Sequence, residues 1–119
     1  MKIYSTLNRN KVDLADTPST ITLYVCGVTP YSSSHLGHAM SYVVFDVVRR
    51  YLDYKGYTVH HIQNFTDVDD KMIASANEMG IPVVDLAERY IDEYLAEMDT
   101  LNVARAHAYP RATCEMDKI

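Results

Sequence analysis

YVCGVTPYSSSHLGHA, Tyr24 to Ala39, decides how this chain folds. Its first half completes ITLYVCGV, Ile21 to Val28, a short run of β-branched and aromatic residues ending at a glycine, which reads as a buried strand. TPYSSS, Thr29 to Ser34, is a loop in which Ser32, Ser33 and Ser34 can each cap a following helix. From His35 to about Lys55 the pattern is helical, with Gly56 placed to close it. Leu36, Ala39, Tyr42, Val43, Phe45, Val47, Val48, Tyr51 and Leu52 cover most of its circumference. Such a helix is expected to pack on both sides, with Arg49, Arg50 and Asp53 marking its wet end. YTVHHIQNF, Tyr57 to Phe65, is a second strand that sends His60 and His61 to opposite faces.

Strand, loop, helix and strand make a βαβ unit, which chirality makes right-handed in a parallel sheet. Upstream, Met1 to Ser19 is polar, a short strand at Lys2 to Tyr4 and then a loop punctuated by Asn8, Asn10, Asp13, Asp16 and Pro18. Downstream, Lys71 to Met79 is a short helix closed by Gly80, and Pro82 fits the first turn of another. In that helix Val84, Ala87, Ile91, Tyr94, Leu95, Met98 and Leu101 form an apolar stripe opposed by Glu88, Arg89, Asp92, Glu93 and Glu97. The tail HAYPRATCEMDKI shows no partner. A doubly wound sheet usually has about five or six strands, and this chain supplies two good ones and a possible third. The fold class is α/β, the first half of a Rossmann-like domain.

The 119 residues carry a formal charge of −5, with 48% hydrophobic and 23% charged residues. That suits a globular domain and argues against a surface specialised for gripping phosphate backbones. Two distant cysteines, Cys26 and Cys114, exclude a disulfide scaffold and suit the reducing cytoplasm. The start lacks the apolar core of a signal peptide. The longest apolar stretch, Tyr42 to Val48, is broken by Asp46 and too short to span a bilayer.

HLGHA, His35 to Ala39, opens the long helix. A helix mouth offers unpaired N–H groups and the positive end of a dipole, which suit phosphate. His35 and His38 lie on one side, and Gly37 leaves room between them. The tetrapeptide HLGH, His35 to His38, is by itself short enough for chance. Its place, after a strand and before a helix, is where open α/β sheets bind ligands. Asp67, Asp69 and Asp70 lack the alternation of a calcium loop and read as helix caps.

YVCGVTPYSSSHLGHA resembles the first strand and HIGH-type signature of class I aminoacyl-tRNA synthetases. The cysteine of YVCG, with FDVVRRYLDYKGY, NFTDVDDK, LAERYIDEYLAEMDTLNV and YPRAT, narrows the resemblance to cysteinyl-tRNA synthetases. It implies a Rossmann-like (HUP-type) catalytic domain of which residues 1–119 are the amino-terminal half, with 105–119 beginning a connective insertion. It also implies ATP-dependent activation of cysteine and its transfer to tRNA(Cys), with zinc as cofactor and ATP carried by Mg2+. On residue type alone Cys26 would be buried filler. The resemblance makes it a zinc ligand, His35 and His38 catalytic, and Thr29, His35, Gly37 and His38 ATP-binding. Gly27, Thr29, Ser41, Asn64 and Thr66 are implied to bind cysteine or its adenylate.

The family's remaining zinc ligands and its KMSKS-type loop do not occur in these residues. The chain is therefore expected to be partial, to bind zinc weakly, to be inactive alone and to self-associate through an open sheet edge. GVTPY, Gly27 to Tyr31, stands where the family often reads GPTVY. That order also resembles the mycothiol-pathway ligase, which joins activated cysteine to an amino sugar. A non-catalytic nucleotide-binding paralogue is the third reading.

Overall fold

Val25, Val59 and Phe65 are almost completely buried, and the strands that carry them form the centre of the molecule. A computed structural model describes residues 1–14 and 19–118. The strand expected at Ile21 to Val28 is β3, Thr20–Val25, and the one expected at Tyr57 to Phe65 is β4, Thr58–Gln63. They pair in parallel, with Thr20 opposite Thr58 and Val25 opposite Gln63. Helix α1, Leu36–Tyr54, connects them. Then come α2, Asp70–Met79, α3, Val83–Thr100, and a short α4, Ala112–Glu115. Among the described residues no helix is long and apolar enough to cross a membrane.

Several expectations are corrected. The amino-terminal loop contains a second strand: β1, Lys2–Ser5, pairs antiparallel with β2, Asn10–Asp13. Arg9, at φ 52°, helps reverse the chain between them, a turn that polar composition alone did not reveal. Asp16 and Pro18 of that loop lie outside the described residues.

The tail does have a partner. Ala108 and Arg111 form parallel bridges to Ile62 and Phe65, so β4 lies between β3 and an irregular third strand. Gln63 and Phe65 donate their N–H groups to Ala108 and Pro110 at 3.1 and 2.9 Å. Pro110 has no N–H to give, which is why HAYPR lacks the look of a strand.

Helix α1 packs on one side only. Tyr42, Asp46 and Leu52 are buried, whereas Leu36, Met40, Val43, Val44, Val47, Tyr51 and Tyr54 form an exposed apolar face. The sheet and α3 both lie on the covered side, and no described element reaches the other. Arg50 and Asp53 are exposed, as expected of a wet end, and Arg49 and Arg50 also donate to the carbonyls of Arg105 and Asn102, each at 2.7 Å. Buried Asp46 accepts from Arg50 Nε at 2.6 Å and from the N–H of Ala104 at 3.0 Å. These bonds pin the chain entering the third strand to the middle of α1.

The apolar stripe of α3 is rotated at its start. Leu86 and Tyr90 are buried while Val84 is exposed, because α2 packs against the first turns through Ala76; at the other end Leu101, the C-cap, is exposed as well. Pro82 sits at the N-cap, one residue before the helix. Asp69 caps α2 by accepting from Lys71 N at 2.9 Å, and Gly80 ends it with the left-handed backbone that glycine takes without strain.

Along α3, Tyr94 touches Tyr42 and Phe65 edge to face, and Phe65 stacks on Tyr109 of the third strand. The Tyr94 hydroxyl accepts a 2.6 Å bond from buried Gln63 Nε2. Tyr94→Phe strands that donor, so we expect a loss of about 1–3 kcal/mol, measured by urea denaturation.

His61 faces α1 and is only 4% exposed, with neither ring nitrogen hydrogen-bonded. Burial, then Arg49 and His107, push its pKa below 6.5, with Asp46 opposing. The unfolded chain therefore binds more protons. The resulting stability is complete above pH 6.5 and is lost as pH falls through the lower folded value. Denaturation midpoints should fall below pH 6.5, and more gently in His61→Gln.

Candidate active site

The parallel strands bring the segments that follow β3 and β4 side by side. A Cβ on Gly27 would lie 1.5 Å from the backbone oxygen of Asn64, so no other residue fits while the strand ends stay this close. Gly27 N donates to Asn64 Oδ1 at 2.9 Å, and Asn64 Nδ2 to Thr66 Oγ1 at 3.4 Å. Thr66 N returns to the carbonyl of Val28 at 3.1 Å. Of the expected substrate-binding residues, Gly27, Asn64 and Thr66 thus form one network, with half-buried Thr29 on the adjoining loop. Ser41 is exposed on α1, and no hydrogen bond among the described residues joins it to that network.

Tyr42 draws the helix onto the strand end by donating from its hydroxyl to the Cys26 carbonyl at 3.2 Å. Burial first, and Cys26 second, push its pKa up to about 12, so it remains a donor throughout the physiological range. Ser75 of α2 donates to the carbonyl of Tyr31 at 3.3 Å, and Lys71 lies over the Tyr31 ring. The loop between β3 and α1 is therefore held by two helices.

The N-cap of α1 is His35, not one of the preceding serines. With its backbone extended (φ −126°, ψ 171°), His35 accepts the Gly37 N–H at Nδ1, at 3.1 Å. His38 closes the box by accepting the His35 N–H at its own Nδ1, at 3.3 Å. The serines lie too early in the chain for this geometry. The imidazoles stack with centroids 3.9 Å apart and planes 13° from parallel. With both Nδ1 atoms accepting, each neutral ring carries its proton on Nε2. Burial, followed by His35, lowers the pKa of His38, and Glu97 partly opposes them. At neutral pH the helix mouth thus presents imidazole donors alongside the dipole's positive end.

A Cβ on Gly37 would come within 2.9 Å of His35 Cε1 and 3.0 Å of its Nδ1, so the stack depends on this glycine. Sequence reasoning missed Tyr42, read as core, and Glu97, read as one of α3's wet residues. A phenol one turn beyond HLGH was the available signal for the first; nothing local marks the second.

Cys26 is an exposed free thiol, its Sγ 3.9 Å from the Gly27 carbonyl. Among the described residues no three His, Cys, Asp or Glu side chains gather as metal ligands. The described residues therefore offer zinc one donor, short of the four a tetrahedral site takes. Asp67 is committed elsewhere, accepting from Thr113 N at 2.9 Å and Thr113 Oγ1 at 2.6 Å. Of the three carboxylates read as helix caps only Asp69 caps α2, with Asp70 in its first turn, whereas Asp67 braces the start of α4. Cys114 is exposed beside them.

Residues 14–119 match the family of class I (C) tRNA synthetase catalytic domains. Two cysteine–tRNA ligases from strains of Dehalococcoides mccartyi are 56% and 54% identical over the whole chain, which spans 26% of their length. Mycobacterium tuberculosis methionyl-tRNA synthetase bound to methionyl-adenylate superposes with a TM-score of 0.70 at 26% identity, over 77% of this chain and 18% of that one. A second structure of that enzyme with the same adenylate gives 0.70 at 25% identity, over 78% and 19%.

The two glycines are expected to respond differently to an added methyl. Gly27→Ala must separate the strand ends and should cost at least about 3 kcal/mol in urea denaturation. Gly37→Ala meets only a movable ring. It should stay within about 1 kcal/mol of wild type while shifting the imidazole resonances of His35 and His38.

Proposed function

The chain belongs to the family of class I (C) tRNA synthetase catalytic domains, and we propose that it forms the amino-terminal part of a cysteine–tRNA ligase. In this reading a carboxylate oxygen of cysteine attacks the α-phosphorus of ATP. The bond to the bridging oxygen breaks, and pyrophosphate leaves with its electron pair. A ribose hydroxyl of tRNA then attacks the acyl carbon of the adenylate and releases AMP.

The observation that carries this proposal is the stacked histidine pair at the mouth of α1. Both Nδ1 atoms are held by backbone N–H groups, so the Nε2–H donors of His35 and His38 are free for ATP phosphates. Such fixed donors lower a barrier because they need no reorganisation as charge develops. Gly37 keeps the pair stacked. Gly27, Thr29, Asn64 and Thr66 would receive cysteine and its adenylate, with Ser41 at the margin. Identity above 50% to cysteine–tRNA ligases over the full chain supports cysteine as the amino acid.

Zinc, where bound, would hold the substrate thiolate and discriminate it from a hydroxyl, with Cys26 as one ligand and the others from outside these residues. Mg2+ would accompany ATP. Residues 105–119 would lead into a connective insertion, and tRNA(Cys) would be gripped elsewhere, consistent with the charge of −5. The setting is the cytoplasm, where thiols stay reduced. Alone, the chain would associate through the open edge of β3 and the uncovered face of α1.

The test joins this chain to the complementary carboxy-terminal portion of a cysteine–tRNA ligase and measures cysteine-dependent exchange of labelled pyrophosphate into ATP. We expect exchange, absent from the isolated chain, and a loss of about 10²–10³-fold in kcat for His38→Ala. Failure of cysteine to drive exchange in a folded, zinc-loaded chimera would sink the reading.

A further inference from the structure

The third strand meets β4 through a regular ladder at one end and an irregular joint at the other. Gln63 N donates to the Ala108 carbonyl and Phe65 N to that of Pro110, at 3.1 and 2.9 Å. Carried back by two residues, that even spacing would pair His61 N with the Ala106 carbonyl. His61 N donates instead to the imidazole of His107, at Nδ1, over 3.0 Å. The backbone N–H of His107 returns a bond to the His61 carbonyl at 2.8 Å. A side chain thus stands in for a ladder carbonyl, and the two histidines exchange both bonds. The Ala106 N–H is bonded within the tail, to the Tyr109 hydroxyl at 2.9 Å. Just before the joint, Arg49 and Arg50 hold the carbonyls of Arg105 and Asn102, and Asp46 holds the N–H of Ala104.

We propose that His107 is an acid-labile clip between the third strand and β4: its neutral ring accepts the His61 N–H, and protonation at Nδ1 opens the joint. An imidazole that accepts at Nδ1 carries its proton on Nε2. His107 is exposed, so a second proton comes from solvent, and Nδ1 is the one atom left to take it. That proton faces the His61 N–H, and two donors make no hydrogen bond.

The charged groups around the joint do not replace the lost bond. On β4, the His60 ring lies 5.3 Å from that of His107, tilted by 33°. The buried His61 ring has neither nitrogen bonded, and its own charging is opposed by His107. From α1, Arg49 reaches the carbonyl two residues before His107. Arg105 is paired with Asp99 of α3, and Asp46 of α1 with Arg50, so both carboxylates are already engaged. Opening is local, because the α1 contacts before the joint and the ladder after it use no imidazole.

The test is amide hydrogen exchange followed by nitrogen-15 NMR on the full chain. It is read as protection factors, since exchange of a free amide itself varies with pH. Protection of the His61 N–H should fall roughly 10-fold as pH drops through the midpoint of the His107 ring. The N–H groups of Gln63 and Phe65 should keep theirs. His107→Asn offers an amide oxygen in place of Nδ1 and has nothing to titrate, so protection of His61 should stay level. His107→Ala should show the low value at every pH. In His61→Gln the other buried imidazole is gone, and the amide at position 61 should still lose protection at the His107 midpoint.

Level protection in the wild-type chain overturns the clip, as does a fall that follows the His61 midpoint instead. An equal fall in His107→Asn overturns it too. A fall shared by Gln63 and Phe65 marks global unfolding and overturns the local device. Should a variant at position 107 not fold, the wild-type chain decides, because its ring midpoints and amide protection are read residue by residue.

Discussion

The approach of two backbones at Gly27 and Asn64 is the constraint on which the rest of the structure depends. Parallel strands are joined by evenly spaced, slanted hydrogen bonds, and here that ladder gives way to a contact so close that a single methyl would lie 1.5 Å from a carbonyl oxygen. Because the strand ends converge, the Asn64 side chain can reach the Gly27 N–H and the Thr66 N–H can reach Val28. The loops leaving the sheet are thereby aimed together, one into α1 and the other into α2.

The aromatic contacts above this point make the arrangement rigid. Tyr42, Tyr94, Phe65 and Tyr109 come from α1, α3, the segment just after β4 and the third strand, and their rings pack in sequence. Two of them also use their hydroxyls, Tyr42 toward Cys26 and Tyr94 toward Gln63. Buried polar groups bonded in this way fix register as well as adding stability, since a slipped element would leave them unpaired. The Asp46, Arg49 and Arg50 contacts do the same for the chain that enters the third strand.

Upon this frame the mouth of α1 is preorganised. A histidine N-cap is unusual because serine, threonine, asparagine and aspartate are the common choices. Here the cap has a second consequence: it fixes two imidazoles in one stack and one tautomer. The uncovered apolar face of α1 belongs to the same picture. The chain spans 26% of the length of its cysteine–tRNA ligase relatives, and that face and the open edge of β3 are the surfaces on which further structure would build.

Local pattern was enough to find β3, α1, β4, α2 and α3, because each has its own periodicity and its own stop signal. Gly56, Gly80 and Asp69 show such signals at work. The order strand, loop, HLGHA and helix also placed the candidate site, since a ligand at a helix mouth needs little beyond the order of elements. Hidden from that reading were features that arise between segments distant in the chain. The tail became a strand because β4 offered unpaired backbone groups, against the local evidence of Pro110. Both sides of α1 read as buried, because periodicity reports which faces are apolar and not whether anything covers them. Ser41 shares a helix with His38 yet stands exposed, and Glu97 lies far along the chain yet lines one groove with His35. The sequence by itself determined the elements and the chemistry of the helix mouth, because these depend on neighbours a few residues apart. Only the tertiary structure decided the third strand, the Gly27 contact and the place of Glu97 in the groove beside His35, because each depends on segments far apart in the chain that folding brings together.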